Sequence, residues 1–238
     1  MIAKEVINAL KTLATEERRK VNEWFFKTGK GEYGYGDIFL GVTMPDIRRI
    51  AKKFSQEISL QELTELIRNP IHEVRLCALI ILVNKYKKEN SDKIYQYYMD
   101  HLTAINNWDL VDSSAPYIVG DYLYKHPEKS KILLDFSNSN NLWVRRISIV
   151  STLTFIKNNE FKKTLEISKL LLHDNHDLIH KAVGWMLREI YKRDEGIIKR
   201  FLRQNYAQIS RTTLRYTIER MDKEERLLYL KGNFNVSH

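Results

Sequence analysis

The sequence is short of the residues that break helices. It contains only nine glycines and four prolines among 238 residues. A fold built from strands needs frequent turns, and turns draw on glycine and proline for their backbone angles. Five of the nine glycines also lie in one short segment, so the rest of the chain has fewer still. We therefore expect an all-α fold.

Long apolar runs are missing as well. No window approaches the roughly 18 consecutive apolar residues that a membrane-spanning helix needs. The first 20 residues have the pattern of an amphipathic helix and lack the cleavage site of a signal peptide. We expect a soluble, cytoplasmic protein with no membrane partner.

Motifs for metals and cofactors are absent. The single cysteine, Cys77, lies in an apolar run and has no second cysteine to pair with, so we expect a buried thiol. The seven histidines lack the H-E-x-x-H spacing, and there is no Walker loop, dinucleotide-binding fingerprint or G-x-S-x-G elbow. The prediction is a protein with no metal and no organic cofactor.

Positive charge is in excess. The chain has 39 lysines and arginines against 30 acidic residues, a net charge of +9. Such a balance favours a polyanionic partner, nucleic acid first and an anionic membrane second. A basic protein without such a partner would have the same composition, so charge alone leaves both interpretations open.

A weak internal repeat organises the chain. Four segments, beginning at Asn69, Asn106, Asn140 and Asn175, share a short polar start followed by a long helix with an apolar stripe. A fifth, from Ile209, fits less well. The spacing of roughly 35 residues is typical of stacked helix pairs. It predicts one HEAT-like domain over residues 1–238, a right-handed solenoid of about six helix pairs with a basic concave face.

Polar residues mark the predicted helix starts and the loops. Ser59 begins a capping box, and Ser91, Asn107, Asn140 and Ser210 are expected to cap other helices. The glycine-rich segment 29–42 predicts a long loop, which either carries function or is a plain surface connection. The tail 233–238 is expected to fray.

Alignment of the repeats on their apolar stripes places one polar residue of each in a row. The row contains Arg75, Asp112, Arg146, Lys181 and, more loosely, Arg211, and Arg145 adjoins it. Repeated cations along a groove match the spaced phosphates of a nucleic-acid backbone. A carboxylate at Asp112 opposes simple binding of phosphates, so it indicates either a structural salt bridge or a catalytic role.

Two tryptophans share the face of the row. Trp108 lies one turn before Asp112, and Trp185 lies one turn after Lys181. Each alone is typical of core packing. Together with Asp112 they suit cleavage of a glycosidic bond, because a carboxylate and aromatic faces both stabilise positive charge on the sugar. Arg146 and Lys181 would then hold the flanking phosphates.

At these residues the sequence resembles the AlkD family of DNA glycosylases, which are built from HEAT-like repeats. The similarity spans nearly the whole chain and is clearest in FLGVTMPDIRRIAKK, NWDLVDSSAPYIVGDYLYKHPE, LWVRRISIV and KAVGWMLREIYK. It implies excision of positively charged N3- and N7-alkylpurines from duplex DNA without a cofactor and without drawing the lesion into a deep pocket. It also implies that Asp112 is the catalytic aspartate, Trp108 and Trp185 are site tryptophans, and Arg146 contacts a phosphate.

Two further functions remain open on the sequence. A non-catalytic binder of damaged or branched DNA would use the same cations without needing Asp112. A protein-binding solenoid would have a mixed or acidic concave face, which the basic row disfavours. We expect a monomeric, nucleoid-associated alkylpurine DNA glycosylase acting in base excision repair.

Overall fold

Helices make up nearly all of the regular structure. The computed structural model describes residues 1–233, and in them the only strand-like pairing is an isolated bridge between Ile38 and Ile71. The predicted all-α class is confirmed. Of the predicted tail, Asn233 is within the described residues, and 234–238 lie outside them.

The chain divides into two compact units, Met1–Ile118 and Val119–His238. The first unit contains seven α-helices in the order α1 Ile2–Thr12, α2 Glu16–Phe25, α3 Met44–Phe54, α4 Leu60–Ile67, α5 His72–Glu89, α6 Asp92–Asp100 and α7 Trp108–Ser114, with a short 3₁₀ helix at Leu102–Ala104. A π-helical turn, Pro116–Gly120, follows α7. The single domain and the curved solenoid remain predictions.

The second unit is also helical throughout its described part. Its α-helices are α8 Asp121–Lys125, α9 Ile132–Ser137, α10 Leu142–Ser151, α11 Leu153–Lys157, α12 Lys162–Leu171, α13 Asp177–Tyr191, α14 Glu195–Asn205, α15 Arg211–Thr217 and α16 Lys223–Lys231. Short 3₁₀ helices cover Pro127–Lys129, Tyr206–Gln208 and Ile218–Arg220.

The helix starts follow the polar residues of the sequence closely. Ser59 and Glu62 form a reciprocal capping box at α4, and Ser91, Asn107 and Ser210 accept hydrogen bonds from the first backbone N–H groups of α6, α7 and α15. Because these N–H groups have no partner inside the helix, each cap stabilises its helix by about 1 kcal/mol. The prediction for Asn140 was wrong by one residue: Asn141 caps α10.

Helix α5 forms the centre of the first unit. Every residue from His72 to Leu79 is buried, so this helix has no polar face along its first two turns. It packs against α1, α3, α4, α6 and α7, which surround it. A helix that is buried on all sides must satisfy its polar side chains internally. Those of α5 bond to the glycine-rich segment, to Asp109 and to the carbonyls of Asn69 and Pro70.

Helix α13 has the equivalent place in the second unit, packed against α10, α12, α14 and α15. Its contact with α15 is close because residue 184 is glycine. A Cβ at Gly184 would lie 2.5 Å from the Cβ of Tyr216 and 2.7 Å from the carbonyl oxygen of Thr213. Any larger residue would therefore push α15 away from the helix that carries Lys181 and Trp185.

Candidate active site and nucleic-acid interface

Asp112 lines a cavity in the first unit. The residue is half-buried on α7, and the cavity beside it has a volume of about 540 Å³. Three side-by-side helices and the π-helical turn form the walls: α3 supplies Arg48, Lys52, Ser55 and Gln56, α5 supplies Ile80, Val83, Asn84 and Lys87, and Asp112, Ser113 and Tyr117 complete them. Asp112 thus lines an open cleft of the molecular surface.

Three cations surround this cavity, and we call Arg48, Lys52 and Lys87 the cationic rim. Arg48 and Lys52 lie four residues apart on one face of α3, and both are exposed. Lys87 lies 4.9 Å from the centre of the Tyr117 ring, a cation–π contact that holds it over the cavity. Sequence reasoning missed all three residues.

Trp108 occupies a different environment from Asp112, although one helical turn separates them. Its ring stacks on Phe26 at 5.3 Å between centroids and meets the edge of Phe25 at 5.7 Å. Its indole N–H donates to the hydroxyl of Tyr33 over 3.2 Å. Trp108 is not among the described residues that line the Asp112 cavity.

The glycine-rich segment positions Trp108 and is itself bonded to α5. Residues 26–43 contain no helix. The carboxylate of Glu73, which is 1% exposed, accepts hydrogen bonds from the backbone N–H groups of Leu40 and Gly41. Gly41 has a φ of 89°, and a Cβ there would lie 2.2 Å from the carbonyl oxygen of Thr15. Glycine is therefore required where this segment meets α2.

A buried charge network lies beneath the same segment. His72 contacts Asp109 at 2.8 Å and Asp37 at 3.5 Å. Burial alone would lower the pKa of His72, but the two carboxylates outweigh it and raise that pKa to about 9. Burial likewise acts to raise the pKa of Asp37, yet hydrogen bonds from His72 and Asn107 and the charge of Arg75 lower it to about 2. At neutral pH His72 is therefore protonated and Asp37 is ionised.

Arg75 belongs to this network and not to a DNA-binding surface. It is 5% exposed, and its guanidinium donates to Asp37 and to the backbone carbonyls of Asn69 and Pro70. A guanidinium that is buried among such partners is not accessible to a phosphate. The predicted phosphate contact of Arg75 is therefore corrected to a structural role.

Arg145 repeats the arrangement of Arg75 in the second unit. Its guanidinium donates to the carbonyls of Ser139 and Asn140 and pairs with Asp174 at 2.6 Å. Both arginines are the fourth residue of their helix. The two are thus structural equivalents, and the predicted register that matched Arg75 with Arg146 was shifted by one residue.

The row of equivalent positions is the fifth residue of several helices, and it contains Asp112 of α7, Arg146 of α10 and Lys181 of α13. In α5 the fifth residue is instead the buried Leu76. Two further charged residues at this position were missed by the sequence alignment. These are Arg48 of α3 and Arg215 of α15. Arg211 is the first residue of α15 and donates to the carbonyl of Leu230, so it does not belong to the row.

The remaining predicted residues lie together in the second unit. Arg146 is 5% exposed and donates to the carbonyl oxygen of Leu178, which connects α10 to the start of α13. Lys181 pairs with Asp177 at 2.8 Å and keeps 39% of its side chain exposed. Trp185 follows one turn later and is half-buried. Lys181 and Trp185 thus lie on one face of α13.

Other chemistry has little support in the described residues. Within residues 1–233, no cluster of three or more histidine, cysteine or acidic side chains has the geometry of a metal site. Burial raises the pKa of the Cys77 thiol to about 12, which makes it inert as a nucleophile. In the same part of the chain, no helix has both the length and the apolar composition for crossing a bilayer.

Solved structures with a similar fold come from streptococci and enterococci. A predicted DNA alkylation repair enzyme from Enterococcus faecalis superimposes with a TM-score of 0.72 at 16% identity, covering 88% of this chain and 97% of that one. AlkD2 from Streptococcus mutans gives 0.56 at 18% identity, covering 76% and 91%. The protein smu.31 from Streptococcus mutans UA159 gives 0.53 at 18% identity, covering 93% and 100%.

At these identities the structures establish a shared fold. No curated protein sequence matches the chain. The sequence model of one family, described as DNA alkylation repair enzyme, matches residues 6–221. That match includes α3, α7, α10 and α13, the helices on which Arg48, Asp112, Arg146 and Lys181 lie. The chain therefore belongs to the DNA alkylation repair enzyme family.

Proposed function

We propose that the protein is a DNA glycosylase that removes cationic N3- and N7-alkylated purines from duplex DNA by hydrolysing the N-glycosidic bond. The observation that carries the proposal is the placement of Asp112 in an open cavity beside three cations. A cationic surface binds the DNA backbone, and a carboxylate on that surface needs a role other than phosphate binding.

The chemistry follows from the charges of the substrate. An alkylated purine is a cation, so it leaves with the electrons of the N9–C1′ bond as a neutral base. Positive charge then develops on the deoxyribose, where the Asp112 carboxylate stabilises it. Water adds to C1′ and loses a proton to Asp112 or solvent, which leaves an abasic site. A leaving group of this kind needs no strong general acid, and one carboxylate suffices.

The other residues position the DNA in this proposal. The cationic rim binds backbone phosphates next to Asp112, and Trp108 presents an aromatic face held by Phe26 and Tyr33. Lys181 and Trp185 are assigned to the same DNA by the family resemblance. Arg146 rests on that resemblance alone, because its guanidinium, like that of Arg75, is buried and bonded to a backbone carbonyl. Neither a metal nor an organic cofactor is required, and the enzyme acts as a monomer.

The test is release of free base from a duplex that contains one 7-methylguanine. The wild-type protein is compared with Asp112→Asn and with a matched control, Asp100→Asn, which changes an exposed carboxylate on α6. Chromatography of the released base is expected to show at least a ~100-fold slower rate for Asp112→Asn, a typical loss for an electrostatic partner of the transition state. The control should match the wild type.

A wild-type protein that binds this duplex but releases no base would overturn the glycosylase assignment. The same cations would then serve a non-catalytic binder of damaged or branched DNA, since the cationic rim needs no carboxylate for binding. Equal rates for Asp112→Asn and the wild type would instead remove Asp112 from the reaction.

A further inference from the structure

Helix α2 carries an unusual solvent-exposed aromatic surface. Trp24 is 80% exposed, Phe25 is 52% exposed and Val21 is 44% exposed. Their spacing of three and four residues places all three on one side of the helix. We call these three residues the aromatic patch. An indole left in water gives no stability to the fold, and clustered exposed apolar groups are typical of binding surfaces.

A shallow cavity of about 690 Å³ adjoins the patch. Its acidic and basic side chains differ in whether other residues already bind them. Of its two carboxylates, Glu23 is paired with Arg19 at 2.9 Å, and Glu32 accepts the backbone N–H of Gly29. Lys27 has no ion pair with any residue between 1 and 233, and Lys20 has only a 3.8 Å contact. Two lysines therefore stand against one carboxylate, that of Glu32, which has no cation paired with it in the described residues, and the cavity keeps an excess of positive charge.

The patch adjoins Trp108, one of the residues assigned to DNA in the proposed function. The Phe25 ring contacts Trp108 at 5.7 Å, and the hydroxyl of Tyr33, which accepts from Trp108, also bonds to the carbonyl of Phe25. A strand of DNA held beside Trp108 would therefore extend onto Phe25 and Trp24 without crossing another surface.

We propose that the aromatic patch, with Lys20 and Lys27, binds unpaired nucleotides of DNA by stacking a base on Trp24. Exposed aromatic rings with neighbouring cations are the usual means of holding single-stranded nucleic acid, because rings stack on bases and cations bind the phosphates between them. Bases within an intact duplex are already stacked on each other. The patch therefore selects DNA that is gapped, abasic or locally melted. The inference rests on DNA being the ligand of the proposed function but not on base excision.

The experiment measures dissociation constants of the full-length protein by fluorescence anisotropy. Two labelled DNAs of equal length serve as probes, a fully paired duplex and the same duplex with a gap of several nucleotides in one strand. The readout is the ratio of the two affinities. Trp24→Ala should lower the preference for gapped DNA about tenfold, in line with the stacking of one base. Trp24→Phe should restore most of it.

Leu227→Ala is the matched control, since Leu227 is 44% exposed on α16 and lies in the second unit. It should leave the ratio at the wild-type value. An unchanged ratio for Trp24→Ala would overturn the proposal, and so would an equal loss of affinity for both DNAs. Concentration-dependent dimerisation in sedimentation that Trp24→Ala abolishes, with no change in the ratio, would assign the patch to a second copy of the chain.

The outcomes separate this inference from the proposed function. Loss of the gap preference in a protein that releases no 7-methylguanine supports the patch and refutes the glycosylase. A wild-type protein that releases the base but shows no preference for gapped DNA supports the glycosylase and refutes the role of the patch.

Discussion

Replacing the three residues of the cationic rim with alanine tests whether the surface around Asp112 contacts DNA phosphates. The triple variant Arg48→Ala, Lys52→Ala, Lys87→Ala removes three charges that lie around one cavity. Each phosphate contact contributes about 0.9 to the slope of log K against log salt. Loss of three contacts should flatten this slope by roughly 2.7.

This change in slope is large enough to measure without ambiguity. Raising the salt from 50 to 200 mM weakens the binding of both proteins to undamaged duplex. The loss of affinity should be roughly 40-fold smaller for the triple variant than for the wild type. Titrations followed by fluorescence anisotropy at several salt concentrations give both slopes. The three side chains are exposed, so folding stability should change by no more than about 0.5 kcal/mol each.

The sequence offers a closely matched control. The variant Arg49→Ala, Lys53→Ala, Lys88→Ala changes the next residue in each case and removes the same total charge. Those three side chains have other contacts: Arg49 pairs with Asp46, Lys53 lies over the Phe54 ring, and Lys88 donates to Gln56. Similar slopes for the two triple variants would refute the reasoning, because only the overall charge of the protein would then matter.

Two predictions concern stability. Gly184→Ala should destabilise the protein by about 1–3 kcal/mol in denaturant unfolding, because the new Cβ meets the Thr213 carbonyl at 2.7 Å. Gly196→Ala, whose Cβ would be 3.4 Å from its nearest neighbour, should instead be neutral or stabilising, and the same loss in both would contradict this explanation. The raised pKa of His72 contributes stability that is complete below pH 6.5 and is lost as pH rises through about 9, so the urea midpoint should fall across that interval. The urea midpoint of a folded His72→Gln variant should decrease less over the same pH interval. An equal decrease in the variant and the wild type would assign the pH dependence to other groups.

The contacts of the glycine-rich segment 29–42 show that it is more than a surface connection. Asp37 and the backbone of Leu40 and Gly41 bond to α5, and Tyr33 accepts the indole N–H of Trp108. The segment therefore fixes the orientation of Trp108 relative to α2. Its glycines had indicated a loop, but only the contacts of the folded chain define this role.

Much of the local structure could be read from the sequence. The shortage of glycine and proline predicts helices, and Ser59, Ser91, Asn107 and Ser210 mark where four of them start, because a polar side chain at that position bonds to a backbone N–H that would otherwise lack a partner. These are short-range effects. They depend on residues a few positions apart, which the sequence displays directly.

The register between repeats was harder to predict, because apolar stripes are broad and tolerate a shift of one residue. Aligned on their caps, the helices place Asp112, Arg146 and Lys181 at the fifth position, together with Arg48 and Arg215. Arg75 and Arg211 fall outside this row. Cap residues are the better reference where they exist, since a side-chain hydrogen bond to the first backbone N–H groups marks the start of a helix.

Tertiary structure alone decided which charges face a ligand and which are buried. The sequence does not distinguish Arg48 from Arg49, or Lys52 from Lys53, as a contact for DNA. All four side chains are exposed. The packing of α3 against α5 turns Arg48 and Lys52 toward the cavity of Asp112. The same long-range packing buries Arg75 against Asp37, which is 38 residues away. Charge and helix position are properties of the sequence by itself, whereas the availability of a charge depends on which distant residues the fold places beside it.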